Sequence, residues 1–283
     1  MTNIQWFPGH MQKARRQMED ELKLVDIVIE LRDARMPLAS SNPILFELAS
    51  NKKRLIVLNK ADMADDKKTK EWVEYFKEND LNCIVCDSIN ERITDKIVNE
   101  VKELLKDKLE KAKARGIRKK VLRAMVCGIP NVGKSTFINN IVKKKITKTE
   151  NRPGVTRSLQ WIRLNEDVEL LDTPGVLWPK FEGDEGLLLA LLGSINDDVL
   201  NKEELVSFGL DYIKNNYPGL LNKRYGIQED CDNLIDAIAN NKKWLNSEDR
   251  INYDTAYSLI LKDIRNNNIG RITWEYASKW IWE

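Results

Sequence analysis

The stretch LRAMVCGIPNVGKSTFINNIV at 122–142 constrains this chain more than any other. An apolar run empties into GIPNVGKS, which fits G-x-x-x-x-G-K-[ST], and a helical stretch follows at once. Gly128 and Gly133 let the backbone wrap closely, so that its N–H groups face phosphate oxygens. The start of the next helix adds partial positive charge to the same spot. A buried strand, a phosphate-cradling loop and a helix are therefore expected in that order. Asn131, Val132 and Gly133 form the wall of the loop. Lys134 is expected to reach the β- and γ-phosphates and Ser135 to ligate Mg²⁺, with Thr136 a further GTP-binding residue of the loop.

Similar β-type runs recur along the first 175 residues, at 25–31, 54–59, 82–87, 122–128, 159–164 and 168–172. Helical stretches at 68–79, 94–113 and 134–145 lie between most of them. Apolar strands alternating with amphipathic helices predict a doubly wound, mostly parallel α/β sheet. The runs 159–164 and 168–172 are separated by NED and read as a hairpin that adds an antiparallel edge. After Gly175 the β pattern fades, and residues from about 184 to 283 are mainly helical in texture, broken by NNYPG at 215–219 and NNNIG at 266–270. Two domains follow from this reading: residues 1–176 with the sheet, and 177–283 as a connection leading into a smaller α-helical domain. At 283 residues the chain is long enough for both.

Three further stretches belong with the phosphate loop. DTPG at 172–175 puts Asp172 at a strand end, where it can hold Mg²⁺ through water, and offers the Gly175 N–H to a γ-phosphate. Thr156, in RPGVTRS at 152–158, is a candidate switch ligand of Mg²⁺ and γ-phosphate, with Thr147 and Thr149 as competitors. NKAD at 59–62 directly follows the apolar run RLIVL. Asp62 can accept hydrogen bonds from guanine N1–H and its exocyclic amine. Adenine would set a lone pair against that carboxylate, at a cost of about 1–3 kcal/mol. Asn59 can position the loop and meet the other edge of the base, and the Lys60 stem can lie on its face, with Ala61 between. At the next strand end, Asp87 and Ser88 in CDSIN read as a weaker base-contacting loop. GTP and GDP are thus the expected ligands.

Base loops that precede the phosphate loop reverse the usual order. The set resembles GTPase domains of the translation-factor class in circularly permuted order. QWFPGHM (5–11), LRDARMPLASSNP (31–43), TRSLQW (156–161) and DTPGVLWPKFE (172–182) are similar to the ribosome biogenesis GTPase A family of bacterial large-subunit assembly factors. The resemblance extends over essentially the whole chain. It implies a GTP-hydrolysing switch that docks on a large-subunit precursor and its rRNA in the GTP state and leaves after hydrolysis. A GTPase serving another RNA client, tRNA or the small subunit, is the alternative. A metabolic phosphotransferase is a third class, for which no second substrate motif stands out. Val176 and Leu177 occupy the place of the usual water-orienting glutamine, so slow turnover stimulated by a partner is expected. The single histidine, His10, is the family's candidate replacement, against a reading as an rRNA-contacting or solvent-exposed residue. Asn131 resembles the asparagine of potassium-activated GTPases, against a reading as a turn residue.

Charge agrees with a polyanionic partner. Lys102–Arg163 holds 18 Lys/Arg against 4 Asp/Glu, whereas 200–283 holds 11 against 13. Cys83 and Cys86 lie in a strand-like run without a second pair, so a zinc site is not expected. The longest apolar run, GLLLALLGSI at 186–195, is too short to span a bilayer, and no signal-peptide core opens the chain. A cytoplasmic protein without a membrane partner is the expectation.

Overall fold

The computed structural model describes residues 16, 18–91, 93–142, 160–173, 184–197 and 201–277. Its sheet consists of β1 (Ile27–Asp33), β2 (Lys53–Asn59), β3 (Asn82–Val85), β4 (Leu122–Gly128), β5 (Gln160–Arg163) and β6 (Val168–Asp172). The spatial order is β3-β2-β1-β4-β6-β5. All neighbours are parallel except β5 and β6, which form the expected antiparallel hairpin. The chain moves outward from β1 through β2 to β3, then restarts at β4 on the other side of β1. The phosphate-loop strand β4 is therefore central although it is fourth in sequence.

Helices between the strands are α1 (Pro43–Leu48), α2 (Asp66–Glu78), α3 (Thr94–Leu104), α4 (Lys106–Ala114) and α5 (Lys134–Val142). Local chemistry starts several of them. Asn42 accepts from the N–H groups of Ile44 and Leu45 ahead of α1, whose first residue is Pro43, and Asp65 caps Lys67 and Lys68 in α2. The helical stretch expected at 94–113 is two helices meeting at Leu105, which ends one and begins the other. Beyond the sheet come α6 (Glu185–Leu191), α7 (Lys202–Asn216), α8 (Leu220–Tyr225), α9 (Leu234–Lys242) and α10 (Tyr253–Arg265).

β1 is buried at every position, as a central parallel strand should be. Its charged members Glu30 and Arg32 point to one face and pair at 2.8 Å, each 1% exposed. Glu30 also accepts from Ser41 Oγ and the Asn42 N–H, and Arg32 donates to the Pro37 carbonyl. The pair is tolerable in the core because its partners are nearly complete. One apolar cluster joins Ile27, Ile29 and Val126 of the sheet with Phe137 of α5, Leu189 of α6, Leu210 of α7 and Ile260 of α10. Sheet and C-terminal helices thus share a continuous core.

One element departs from expectation. The aromatic segment after α10 is not helical: residues 270–276 run without regular secondary structure, and Trp274 is buried. Its main-chain groups bond to residues of the first half of the chain, which a helix would not permit. Trp274 is accordingly a packing residue.

Candidate nucleotide-binding site

Register brings the motif residues to one edge of the sheet. Asp33 lies opposite Asn59, Leu31 opposite Gly128, and Val126 opposite Asp172. This edge is the carboxyl end of the parallel strands, and β1 and β4 flank the point where the chain reverses direction across the sheet. Open α/β sheets bind ligands there.

The two loops that stand 71–73 residues apart in sequence touch directly. Asn59, 2% exposed, donates its amide N–H to the Val132 carbonyl at 2.9 Å. Its Oδ1 accepts from the Ser88 hydroxyl at 2.6 Å and the Ser88 N–H at 3.3 Å. Lys60 Nζ donates to the Asn131 carbonyl at 2.6 Å and pairs with Asp33 at 3.0 Å. Asp33 in turn holds Arg35 through Nε at 2.9 Å and Nη2 at 2.8 Å. Burial alone would raise the Asp33 carboxyl, but Arg35 and Lys60 outweigh it and hold it well below the usual carboxylate range. Asp33 is therefore a fixed anion that keeps Lys60 in place.

Backbone geometry serves the same contact. Lys60 and Asn131 adopt left-handed conformations, φ 60° and 62°, as does Gly133 at 92°. A Cβ on Gly133 would collide with Asn59 Nδ2. Gly133 is thus required by the neighbouring loop as well as by its own turn. At Gly128 a Cβ would come within 2.8 Å of the Leu31 carbonyl.

Asp62 sits exposed in a short 3-10 turn, Ala61–Met63, pinned to the next strand end by the Ala61 N–H bonding the Cys86 carbonyl at 3.2 Å. Partial burial and the nearby Asp87 charge push the Asp62 carboxyl upward. Asp87 spends its own carboxylate on the Ile89 and Asn90 N–H groups, at 2.8 and 3.2 Å. Asp87 is thus spent within its own loop, while Ser88 holds Asn59. Burial lifts the thiols of Cys83 and Cys86 to about 12 and about 11, so both are inert at neutral pH. No cluster of three or more metal-ligating side chains occurs among the described residues.

At the phosphate end, Lys134 is ion-paired with Asp172 Oδ1, both groups buried. Asp172 Oδ2 is buried without a hydrogen-bond partner. An orphaned carboxylate oxygen beside the loop lysine fits a hydrated divalent cation. Ser135 and Thr136 occupy the first turn of α5, half-buried. The Asn131 side chain donates to the Gly193 carbonyl, just past α6, so the phosphate loop is tied to the helical part of the chain. Beside this tie a cavity of about 420 Å³ is lined by Arg35, Lys60, Asn131, Gly193, Asp197 and Arg265, among others. It abuts the loops but contains neither Asp62 nor Lys134. His10, Thr156 and Gly175 lie outside the described residues.

Asp33, Arg35 and Gly193 were not legible as site residues. LRDARMP carried only a family resemblance, and nothing local tells that its acid will meet Lys60 of a later strand.

Sheet order and joined loops define a P-loop GTPase domain in circularly permuted order. A family model described as RsgA GTPase matches residues 25–182, which take in both loops in this order, and one described as 50S ribosome-binding GTPase matches 123–250. Ribosome biogenesis GTPase A of Bacillus pumilus is 46% identical over 96% of this chain and 98% of its own. That of Thermotoga maritima is 30% identical over 96% and 94%. GNP-bound YlqF from T. maritima superposes with a TM-score of 0.67 at 29% identity, covering 94% of this chain and 98% of its own. Its GDP-bound structure gives the same score. The chain belongs to the ribosome biogenesis GTPase A family; it binds guanine nucleotides and hydrolyses GTP.

Proposed function

We propose that this GTPase is a switch in assembly of the large ribosomal subunit, docking on the precursor and its rRNA with GTP bound and leaving after hydrolysis. The observation that carries the switch is the bond from the Asn131 side chain to the Gly193 carbonyl. It makes a residue of the phosphate loop part of the seam with the C-terminal helices, so occupancy of the loop can bias how those helices sit. The client comes from the relatives, whose names specify ribosome biogenesis. A cytoplasmic location fits that client; no helix among the described residues is long and apolar enough to cross a membrane.

In this reading Asp62 accepts from guanine, while Asn59, Lys60 and Ala61 hold the base loop against Asn131 and Val132. Asp87 and Ser88 brace it from the next strand. The backbone from Asn131 to Thr136 wraps the phosphates, and Lys134 exchanges its Asp172 partner for the β- and γ-oxygens. Ser135, Thr156 and, through water, Asp172 would hold Mg²⁺, which would supply positive charge to those oxygens. Gly175 would meet the γ-phosphate, His10 would orient the attacking water, and Asn131 would be the ligand for a potassium ion. Turnover is slow alone and stimulated by the subunit.

Co-sedimentation with separated ribosomal subunits tests the proposal. Pelleting with the large subunit in a nonhydrolysable GTP analogue, and not in GDP, is expected. Equal pelleting in both nucleotides would contradict the switch, and pelleting with the small subunit would contradict the client.

A further inference from the structure

The segment 271–273 lies along the base loop, some 200 residues away in sequence, and bonds almost every residue from 61 to 66. Arg271 donates from Nη2 to the Ala61 carbonyl and from Nε to the Ala64 carbonyl, each at 2.8 Å. Its two terminal nitrogens also hold the Asp66 carboxylate at 2.6 Å each. The Ile272 N–H bonds the Met63 carbonyl at 3.2 Å, and the Asp65 N–H bonds Thr273 Oγ1 at 3.0 Å. Among residues 61–66, Asp62 is the one these bonds pass over.

The strap is itself firmly anchored. The Trp274 main-chain N–H bonds the Arg35 carbonyl at 2.7 Å, and the Glu275 carboxyl oxygens accept from the Leu38 and Ala39 N–H groups at 2.7 and 2.8 Å. Tyr212 and Tyr217 of the helical part donate to the Thr273 carbonyl at 2.9 and 3.1 Å. Lys68 of α2 stands 3.8 Å from the ring centre of Tyr276.

A three-residue 3-10 turn has little stability of its own. The planar guanidinium of arginine is suited to fix several acceptors at once in one geometry. We propose that Arg271 is a positioning residue for guanine recognition: it holds the Ala61–Ala64 turn so that the Asp62 carboxylate meets N1–H and the 2-amino group together. The proposal rests on the reading that Asp62 faces the base. It also makes base selection depend on a segment that follows the C-terminal helices, so displacement of those helices reaches the guanine end as well as the phosphates.

The test compares dissociation constants for GDP and for IDP, which lacks the 2-amino group, in the full chain and in Arg271→Gln, Arg271→Lys and Asp62→Ala. Asp62→Ala is expected to abolish the preference for GDP over IDP. Arg271→Gln is expected to weaken GDP about tenfold and to narrow the GDP-to-IDP preference several-fold, with α-helical content and the melting transition retained. Arg271→Lys keeps the charge without the fork and recovers part of the loss. A merely structural contribution would weaken both nucleotides equally and leave the ratio intact. An unchanged ratio in Arg271→Gln, with the ratio lost in Asp62→Ala, overturns the role of Arg271 alone. An unchanged ratio in Asp62→Ala overturns the base-loop reading with it.

Discussion

Asn59 shows how much one buried amide can fix. Both ends of its side chain are used within the protein, the N–H on Val132 and the oxygen on Ser88. Spacing made the loop legible, because N-K-x-D after an apolar run and G-x-x-x-x-G-K-S before a helix are local patterns. The division of labour inside it was not legible, because the partners of Asn59 lie 29 and 73 residues away. Asn59→Asp keeps the size and reverses the polarity at Val132, placing a carboxylate oxygen against a carbonyl. Leaving that group without a donor costs about 1–3 kcal/mol. GDP affinity measured by calorimetry should fall by roughly 10- to 100-fold. Retention of wild-type affinity would mean that the loop contact is incidental to binding.

The strands and most helices were legible at the scale of the element, since apolar runs and 3.6-residue periodicity report burial directly. The C-terminal strap was not. It falls in the stretch whose texture reads as helical, whereas its actual conformation is set by partners such as Arg35, Leu38 and Met63 that no local pattern encodes. Glu275→Ala should strand the Leu38 and Ala39 N–H groups and destabilise the fold by about 2 kcal/mol, read from denaturant unfolding. Faster amide exchange at 34–42 should accompany it.

Glu275 also gives the strap a pH dependence. Burial pushes its carboxyl up to about 7, opposed by the two N–H donors and by Arg32, while Glu185 adds to the rise. Above the ordinary glutamate range and up to about 7, the folded state keeps a proton that the unfolded chain has released. Stability from this group is therefore lost as pH rises, by about 1 kcal/mol between pH 6 and 8. Melting temperatures across that range should fall in the wild type and lose this component in Glu275→Gln.

For the whole molecule, permutation joins what were two ends through α3, α4 and the basic stretch to 120. Such rewiring is tolerated where termini lie together at the surface. The result leaves a cationic ridge: Lys106, Lys111, Lys113, Arg115 and Arg118 are exposed and in no ion pair among the described residues. The charge surplus was countable from sequence, but which cations remain unneutralised was not: Lys108 is spent on Asp26 and Lys119 on Glu166. Reversing Lys111, Lys113 and Arg115 to Glu should leave GTP turnover without ribosomes unchanged. It should weaken subunit binding and lower the log–log salt slope by roughly 2–3. An unaltered slope would remove this ridge from the docking surface.

All of these scales depend on base loop and phosphate loop gripping opposite ends of one nucleotide. Competition against a fluorescent GDP measures that most directly, with unlabelled GTP, ATP and tripolyphosphate added in turn to the wild type and to Asp62→Ala. GTP should displace the probe from the wild type at least tenfold more effectively than ATP or tripolyphosphate, and Asp62→Ala should bring GTP down to the level of ATP. Equal displacement by ATP and GTP in the wild type, or full guanine preference in Asp62→Ala, would contradict the shared site.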